Sequence, residues 1–266
     1  MYEWPLINDN ISEDDKDKLV EFIRTPGVRF TQHENVRKFE EEWSTWLGSD
    51  HTTYVNSGAS ANWIMASILK ELTGPGEVIL SPFGWVSDVV PFLVHGFKPV
   101  FVDVDMHNMS SSTDAIIDAI TEDTKAVLMV HILGFNGLTE KLMNALDEKG
   151  IMLIEDCCES HGATFNGRKI GTFGAMSNFS FYFGHHMTTI EGGTVCTNDP
   201  GIHDLARMFR SHGMTREASD VTQDHFKKNY PDLNPLFTFA VPGFNVRSHE
   251  LCAVMGRNQL KRLDSN

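Results

Sequence analysis

Residues 125–156 read KAVLMVHILGFNGLTEKLMNALDEKGIMLIED. The stretch opens on one short apolar run, 125–133, and closes on another, 151–156, with a helical pattern between them over Thr139–Lys149. Runs this short, apolar on both faces and separated by a helix, predict parallel strands in a sheet covered on both sides. The alternation extends upstream. There, TTYV (52–55), EVILSP (77–82) and PVFVDVD (99–105) read as strands, with helices over Ala59–Leu72, near Val86–Val94 and near Thr113–Ile120. Downstream, NFSFYF (178–183) and TVCTN (194–198) complete the sheet, and helices are predicted near Ile202–Ser211 and Ser248–Leu263.

Two helices precede the sheet. Ser12 caps the first, with Asp15 three residues on and Leu19, Phe22 and Ile23 as its apolar side. The second runs from about His33 to Leu47 with Val36, Phe39, Trp43 and Leu47 on one stripe, and Gly48 stops it. Residues 213–246 are polar, contain prolines and follow no clear period, so they are expected to form a long loop with a functional role or a partner to pack on. No repeat or linker divides the chain. The expectation is a single α/β domain.

Composition narrows the function classes. The 266 residues are 41% hydrophobic and 22% charged, the balance of a soluble globular protein. No apolar run reaches the length of a membrane span, and no secretory signal opens the chain, so a cytoplasmic protein is expected. A formal charge of −14 argues against nucleic acid or an anionic membrane as partner. The four cysteines (Cys157, Cys158, Cys196 and Cys252) have neither zinc-site nor disulfide-framework spacing, and no metal is expected.

Four segments offer chemistry. In NSGASAN (56–62), Gly58 permits close backbone approach, and Ala59 and Ser60 open a helix N-terminus suited to a phosphate; a plain capped helix start is the ordinary reading. In IEDCCESHGA (154–163), Asp156 ends an apolar strand, where open α/β sheets place ligand groups, though a cap or surface acid is as common. Trp85 in SPFGWVSD (81–88) could stack on a planar ring or simply pack. In FSFYFGHHMTTIEGG (179–193), Ser180 and His185 flank a turn, and a lone histidine there is more often structural. Taken in order, a phosphate-type turn, an aromatic, an acid at a strand end and a serine fit a pyridoxal 5′-phosphate site. The lysine that would bind such a cofactor covalently is missing: none lies between Lys169 and Lys227.

These segments, together with PLINDNI, FEEEWSTWLGS, VDVD, VHILG, IEDCCESHGATFNGRKIGTFG and PGFNVRSHELCAVMG, resemble the DegT-type family of nucleotide-sugar aminotransferases and dehydratases. The resemblance implies the PLP-dependent transferase fold (aspartate aminotransferase-like, fold type I) and spans nearly the whole chain. By position it implies Asp156 as partner of the pyridinium nitrogen, Glu159 lining the pocket, and Gly58, Ala59, Ser60 and Ser180 around the phosphate. Trp85 takes the stacking position, and Asn245 resembles a residue that reaches the phosphate across a homodimer interface. His185 falls where the aminotransferases carry their lysine, as in the family's 3-dehydratase branch.

Imidazole cannot hold the cofactor covalently but can act as a base near neutral pH. The resemblance therefore implies removal of the C3 hydroxyl from a nucleotide-linked 4-keto-6-deoxyhexose, with pyridoxamine 5′-phosphate recharged by an amino donor such as glutamate. His186 is expected to face away from the cofactor or to assist with substrate. Arg247 is a candidate for the diphosphate, while Arg210 and Arg216 read equally well as solvated surface. The family's small C-terminal domain is expected to be absent or truncated, leaving residues 1–266 as the large cofactor-binding domain. A sugar aminotransferase and an inactive pseudoenzyme or fragment are the competing readings.

Overall fold

The computed structural model describes residues 9–265, so residues 5–8 of the PLINDNI segment lie outside it. Helix α1 (Glu13–Arg24) starts as expected: the Ser12 hydroxyl accepts the Asp15 N–H, and the Asp15 carboxylate accepts the Ser12 N–H. Its inward face departs from the expectation. Leu19 and Phe22 are only half-buried and Ile23 is exposed, while the helix's fully buried residue is Asp15. Arg262, Asn258 and Gln259 meet that carboxylate, so α1 docks through a polar contact. Helix α2 (Glu34–Leu47) buries Val36, Phe39, Trp43 and Leu47, the stripe read from the sequence, and ends on Gly48 at φ +88°.

The sheet begins with β1 (His51–Val55), α3 (Gly58–Thr73), β2 (Glu77–Leu80), α4 (Val90–Val94) and β3 (Lys98–Phe101). It continues through α5 (Thr113–Ala119), β4 (Thr124–Val130), α6 (Glu140–Lys149) and β5 (Met152–Asp156). A two-residue hairpin, β6 (Thr164–Phe165) and β7 (Arg168–Lys169), leads to β8 (Met176–Ser180), β9 (Gly193–Thr197) and α7 (Pro200–Arg210). The order across the sheet is β1-β9-β8-β5-β4-β2-β3. Strand β9 runs antiparallel to both neighbours and every other pairing is parallel, so six strands point one way. The carboxyl ends of β1, β2, β4, β5 and β8 therefore share one edge.

Alternate strand residues enter opposite cores, as a two-fold side-chain period requires. Ile79, Val127, Met129 and Leu153 join one core with α2, α5 and α6; Val78, Leu80, Ala126, Leu128 and Ile154 join the other with α3. Both faces of the strands are covered, which explains their unbroken apolar runs.

Three expectations need correction. The strand predicted at 178–183 ends at Ser180, and 181–192 is irregular. The helix near Val86–Val94 is a 3₁₀ turn, Val86–Asp88, followed by α4, because Pro91 fits only the first turn of a helix. Residues 213–246 are not one loop: α8 (Asp220–Asn229) lies within them, capped by Ser219 and buried at no position. Helix α9 (Glu250–Leu260) then closes against α1 and α2. No helix among the described residues is long and apolar enough to cross a membrane.

Candidate active site

Chain order β1–turn–α3 brings Gly58 to the sheet's carboxyl edge. Ser57 caps α3 by accepting the Ser60 N–H (3.0 Å), and the Ser60 hydroxyl donates to Asn56 (2.6 Å). The first-turn N–H groups of Gly58 and Ala59 have no partner within the helix and point toward its N-terminal end. A Cβ on Gly58 would stand 2.7 Å from Ser180 Cβ and 3.1 Å from both Ser180 Oγ and Cys158 Sγ. Only glycine lets α3, β8 and the residues after β5 converge so closely.

Asp156 ends β5, almost fully buried. Its Oδ2 accepts from Asn62 Nδ2 (2.9 Å) and Asn178 Nδ2 (3.1 Å), and its Oδ1 from the Cys158 N–H (3.0 Å). Asn178 stands opposite Asp156 in the β5–β8 register and also donates to Cys158 Sγ (3.2 Å). Burial, with Asp156 alongside, pushes the Cys158 thiol well up, so it stays protonated. The site thus combines a donor-lined helix start with a fixed carboxylate, one end fitted to an anion and the other to a cation.

His185 lies on the 181–192 segment, its N–H donating to the Tyr182 carbonyl (3.1 Å). Burial lowers its pKa from the usual imidazole value, opposed by Glu159 and Asp156, with His186 adding to the drop. The ring is therefore neutral, and basic, at pH 7. Glu159 accepts the Leu133 N–H (3.0 Å) where the chain turns after β4, and Leu133 itself sits at φ +51°. His186 does not simply turn away. Both it and His185 stand edge-on to the buried His161, at centroid distances of 5.3 and 6.2 Å. His161 stacks on Phe179 and Phe181 and is held neutral by burial.

The remaining candidates lie further out. Trp85 is 75% exposed, linked to the site through its N–H on Asp88 Oδ2 (2.8 Å). Asn245 is exposed beside Ser211, and the Arg247 backbone bridges to Val55 at the end of β1. Arg210 is not solvated surface: it is buried, paired with Glu40 (2.5 Å) and the Tyr54 carbonyl (3.0 Å). Arg216 lies over the Phe237 ring. The flanking lysines are engaged elsewhere, Lys169 over the Trp46 ring and Lys227 on Asp224.

Sequence reasoning passed over Asn62, Asp88, Asn178 and His161. A signal existed: each is a polar residue inside or beside an otherwise apolar element, and a buried polar group needs a partner. His131, Glu155 and Cys157 cluster closely enough to share a metal, but Glu155 already accepts N–H bonds from Gly171, Phe173 and Gly174. Glu155 thereby fixes the turn between β7 and β8.

Comparison with known proteins places the chain in a family. The profile of the DegT/DnrJ/EryC1/StrS aminotransferase family matches residues 9–266. A GDP-4-keto-6-deoxy-D-mannose 3-dehydratase of Yersinia pseudotuberculosis is 33% identical over 270 residues, covering 100% of this chain and 68% of that protein. A GDP-perosamine synthase of Vibrio cholerae is 33% identical over 229 residues, covering 86% of this chain and 58% of the relative. Among solved structures, an E. coli GDP-4-keto-6-deoxy-D-mannose-3-dehydratase with bound hydrated PLP superposes at TM-score 0.88 and 30% identity, over 99% of this chain and 69% of the other. The chain spans roughly three-fifths to two-thirds of the length of these proteins.

Proposed function

The chain belongs to the DegT/DnrJ/EryC1/StrS aminotransferase family, and on that premise we propose that it removes the C3 hydroxyl from a nucleotide-linked 4-keto-6-deoxyhexose, using pyridoxamine and pyridoxal 5′-phosphate. What supports the reading is His185: a neutral imidazole beside Glu159 and Asp156, in a chain with no lysine between Lys169 and Lys227.

The residues fit the cofactor. Gly58, Ala59, Ser60 and Ser180 would hold its phosphate, since the start of α3 and Ser180 converge so closely that Gly58 has no room for a Cβ. Asp156, with three donors fixing its oxygens, would hold the cationic ring nitrogen. Trp85 would cover the ring, and Asn245, being exposed, is available to the phosphate site of a second copy in a homodimer. When bound, the cofactor supplies an amine to join the substrate ketone and a conjugated ring to carry electrons toward the leaving hydroxyl.

His185 would accept a proton from the methylene carbon beside the ring, a role open to it because burial keeps the imidazole unprotonated. Glu159 lies close enough to stabilise the imidazolium that results. Imidazole forms no stable covalent link to the cofactor, so His185 would leave it unattached to the chain, free to be recharged by glutamate or a similar donor. His186 and Arg247 would face the substrate. A sugar aminotransferase is the second reading, favoured by the perosamine synthase relative.

The test is His185→Asn with a GDP-linked 4-keto-6-deoxyhexose. Dehydration should disappear while PLP affinity stays within about threefold, a change of well under 1.4 kcal/mol. Turnover near the wild-type rate, or a borohydride-trapped cofactor adduct on any lysine, would overturn the assignment.

A further inference from the structure

Beneath the proposed ring site lies a second carboxyl group. Asp88, on the turn after β2, is 3% exposed, and Asp156 is 4% exposed. One Asn62 amide nitrogen donates to both, 3.1 Å to Asp88 Oδ1 and 2.9 Å to Asp156 Oδ2, so those two oxygens lie within about 6 Å of each other. Neither enters an ion pair among the described residues. Two buried carboxylates this close cannot both be ionised without a large penalty.

We propose that Asp88 is a neutral carboxylic acid that shares its proton with Asp156, and so fixes Asp156 as a singly charged, oriented acceptor for the cofactor's ring nitrogen. The second half of this rests on the cofactor site proposed above; the shared proton does not.

The hydrogen-bond inventory assigns the proton. Asp156 accepts three donors, Asn62 Nδ2, Asn178 Nδ2 and the Cys158 N–H, which leaves few of its lone pairs for a proton of its own. Asp88 accepts only two, Asn62 Nδ2 and the Trp85 N–H. The titratable groups around the pair are the Cys158 thiol and, on the Asp156 side, the His185 imidazole. Burial first, then Asp156, push the Asp88 carboxyl up to about 9.

Gly84 makes room for the Asp88 carboxyl group where it meets the Trp85 N–H. A Cβ on Gly84 would stand 2.7 Å from Asp88 Oδ2. Asp88 also ties two parts of the site together: one oxygen faces the floor through Asn62, and the other holds the turn that carries Trp85. With a ring cation on Asp156 and Asp88 neutral, the buried charges cancel; with Asp88 ionised, one negative charge is left over.

Infrared spectra of the cofactor-free chain test the proton directly. At pH 7 the wild type should show the carbonyl stretch of a protonated carboxyl group, shifted in D₂O, that is lost only as pH rises through about 9. The Asp88→Asn variant should lack it. A wild type without the band at pH 7 overturns the proposal with no need for the variant to fold, and so does a band that survives the substitution. The absorption of PLP, added at a concentration that saturates each protein, tests the positioning role: wild type should show a spectral step near pH 9 that Asp88→Asn loses. A step present in both proteins would refute that role. The expected band without any PLP binding would leave the shared proton standing and refute the cofactor site instead.

Discussion

Gly58→Ala probes the cradle on which the functional reading depends. The new methyl would lie 2.7 Å from Ser180 Cβ, about 1 Å inside the ordinary carbon–carbon separation of roughly 3.5–4.0 Å. It would also press on Ser180 Oγ and Cys158 Sγ at 3.1 Å. Neither side can yield easily: Ser180 is buried at the end of a central strand, and the first turn of α3 is pinned by the Ser57 cap. Overpacking of this kind costs about 1–3 kcal/mol, offset by about 0.5–1 kcal/mol because alanine suits a helix better than glycine. The net expectation is a loss of about 1–2 kcal/mol, or several degrees in Tm at roughly 2–4 °C per kcal/mol. The same methyl would displace Ser180, one of the residues proposed to hold the phosphate, so PLP affinity should fall by about tenfold or more, equivalent to about 1.4 kcal/mol. Gly201→Ala is the control: it too is in a helix first turn, and its nearest neighbour is a flexible carboxylate oxygen at 3.1 Å. Thermal unfolding and a PLP titration read both proteins. A Gly58→Ala variant that is as stable as Gly201→Ala and binds PLP normally would refute the cradle.

Two further outcomes test the scaffold. Glu250 accepts the His33, Asn35 and Val36 N–H groups and the Asn35 amide, all at 2.8–2.9 Å, serving as the cap that His33 does not provide for α2. Glu250→Ala should therefore lower stability by about 2–3 kcal/mol in urea titrations, and an unchanged midpoint would show that α2 does not depend on it. Asp15 is held down to about 2, since hydrogen bonds from Arg262, Asn258 and Ser12 outweigh the opposing effect of burial. Its folded pKa is below the unfolded 3.8, so its stabilisation of about 2 kcal/mol is present above pH 3.8 and is lost as pH falls through about 2. Asp15→Asn should be less stable by that amount at pH 7, with the gap from wild type closing near pH 2. A gap that stays constant with pH would rule out the charge as its source.

The sequence by itself determined the elements whose burial leaves a local rhythm. Strands covered on both faces read as short apolar runs, α2 shows its stripe every three or four residues, and Asp156 stands out as a charge ending such a run. It was silent where no apolar rhythm exists. Helix α8 buries nothing and is tied down by Ser219 and Thr222 on Asp204, so its polar sequence read as loop. Helix α1 docks through an aspartate whose partners lie more than 240 residues away. Arg210 could be read either as a diphosphate ligand or as surface, because its partner Glu40 belongs to another helix.

The site divides the same way. Gly58, Asp156, Ser180 and His185 could be picked out because each sits where a strand gives way to a turn. Only the tertiary structure decided that Asn62 joins Asp88 to Asp156, across separations of 26 and 94 residues, and that His161 lies against both His185 and His186. Side-chain periodicity records which way a residue faces within its own element. Which partner it meets there is set by how the elements pack, and a buried polar group carries no mark of that in its neighbouring sequence.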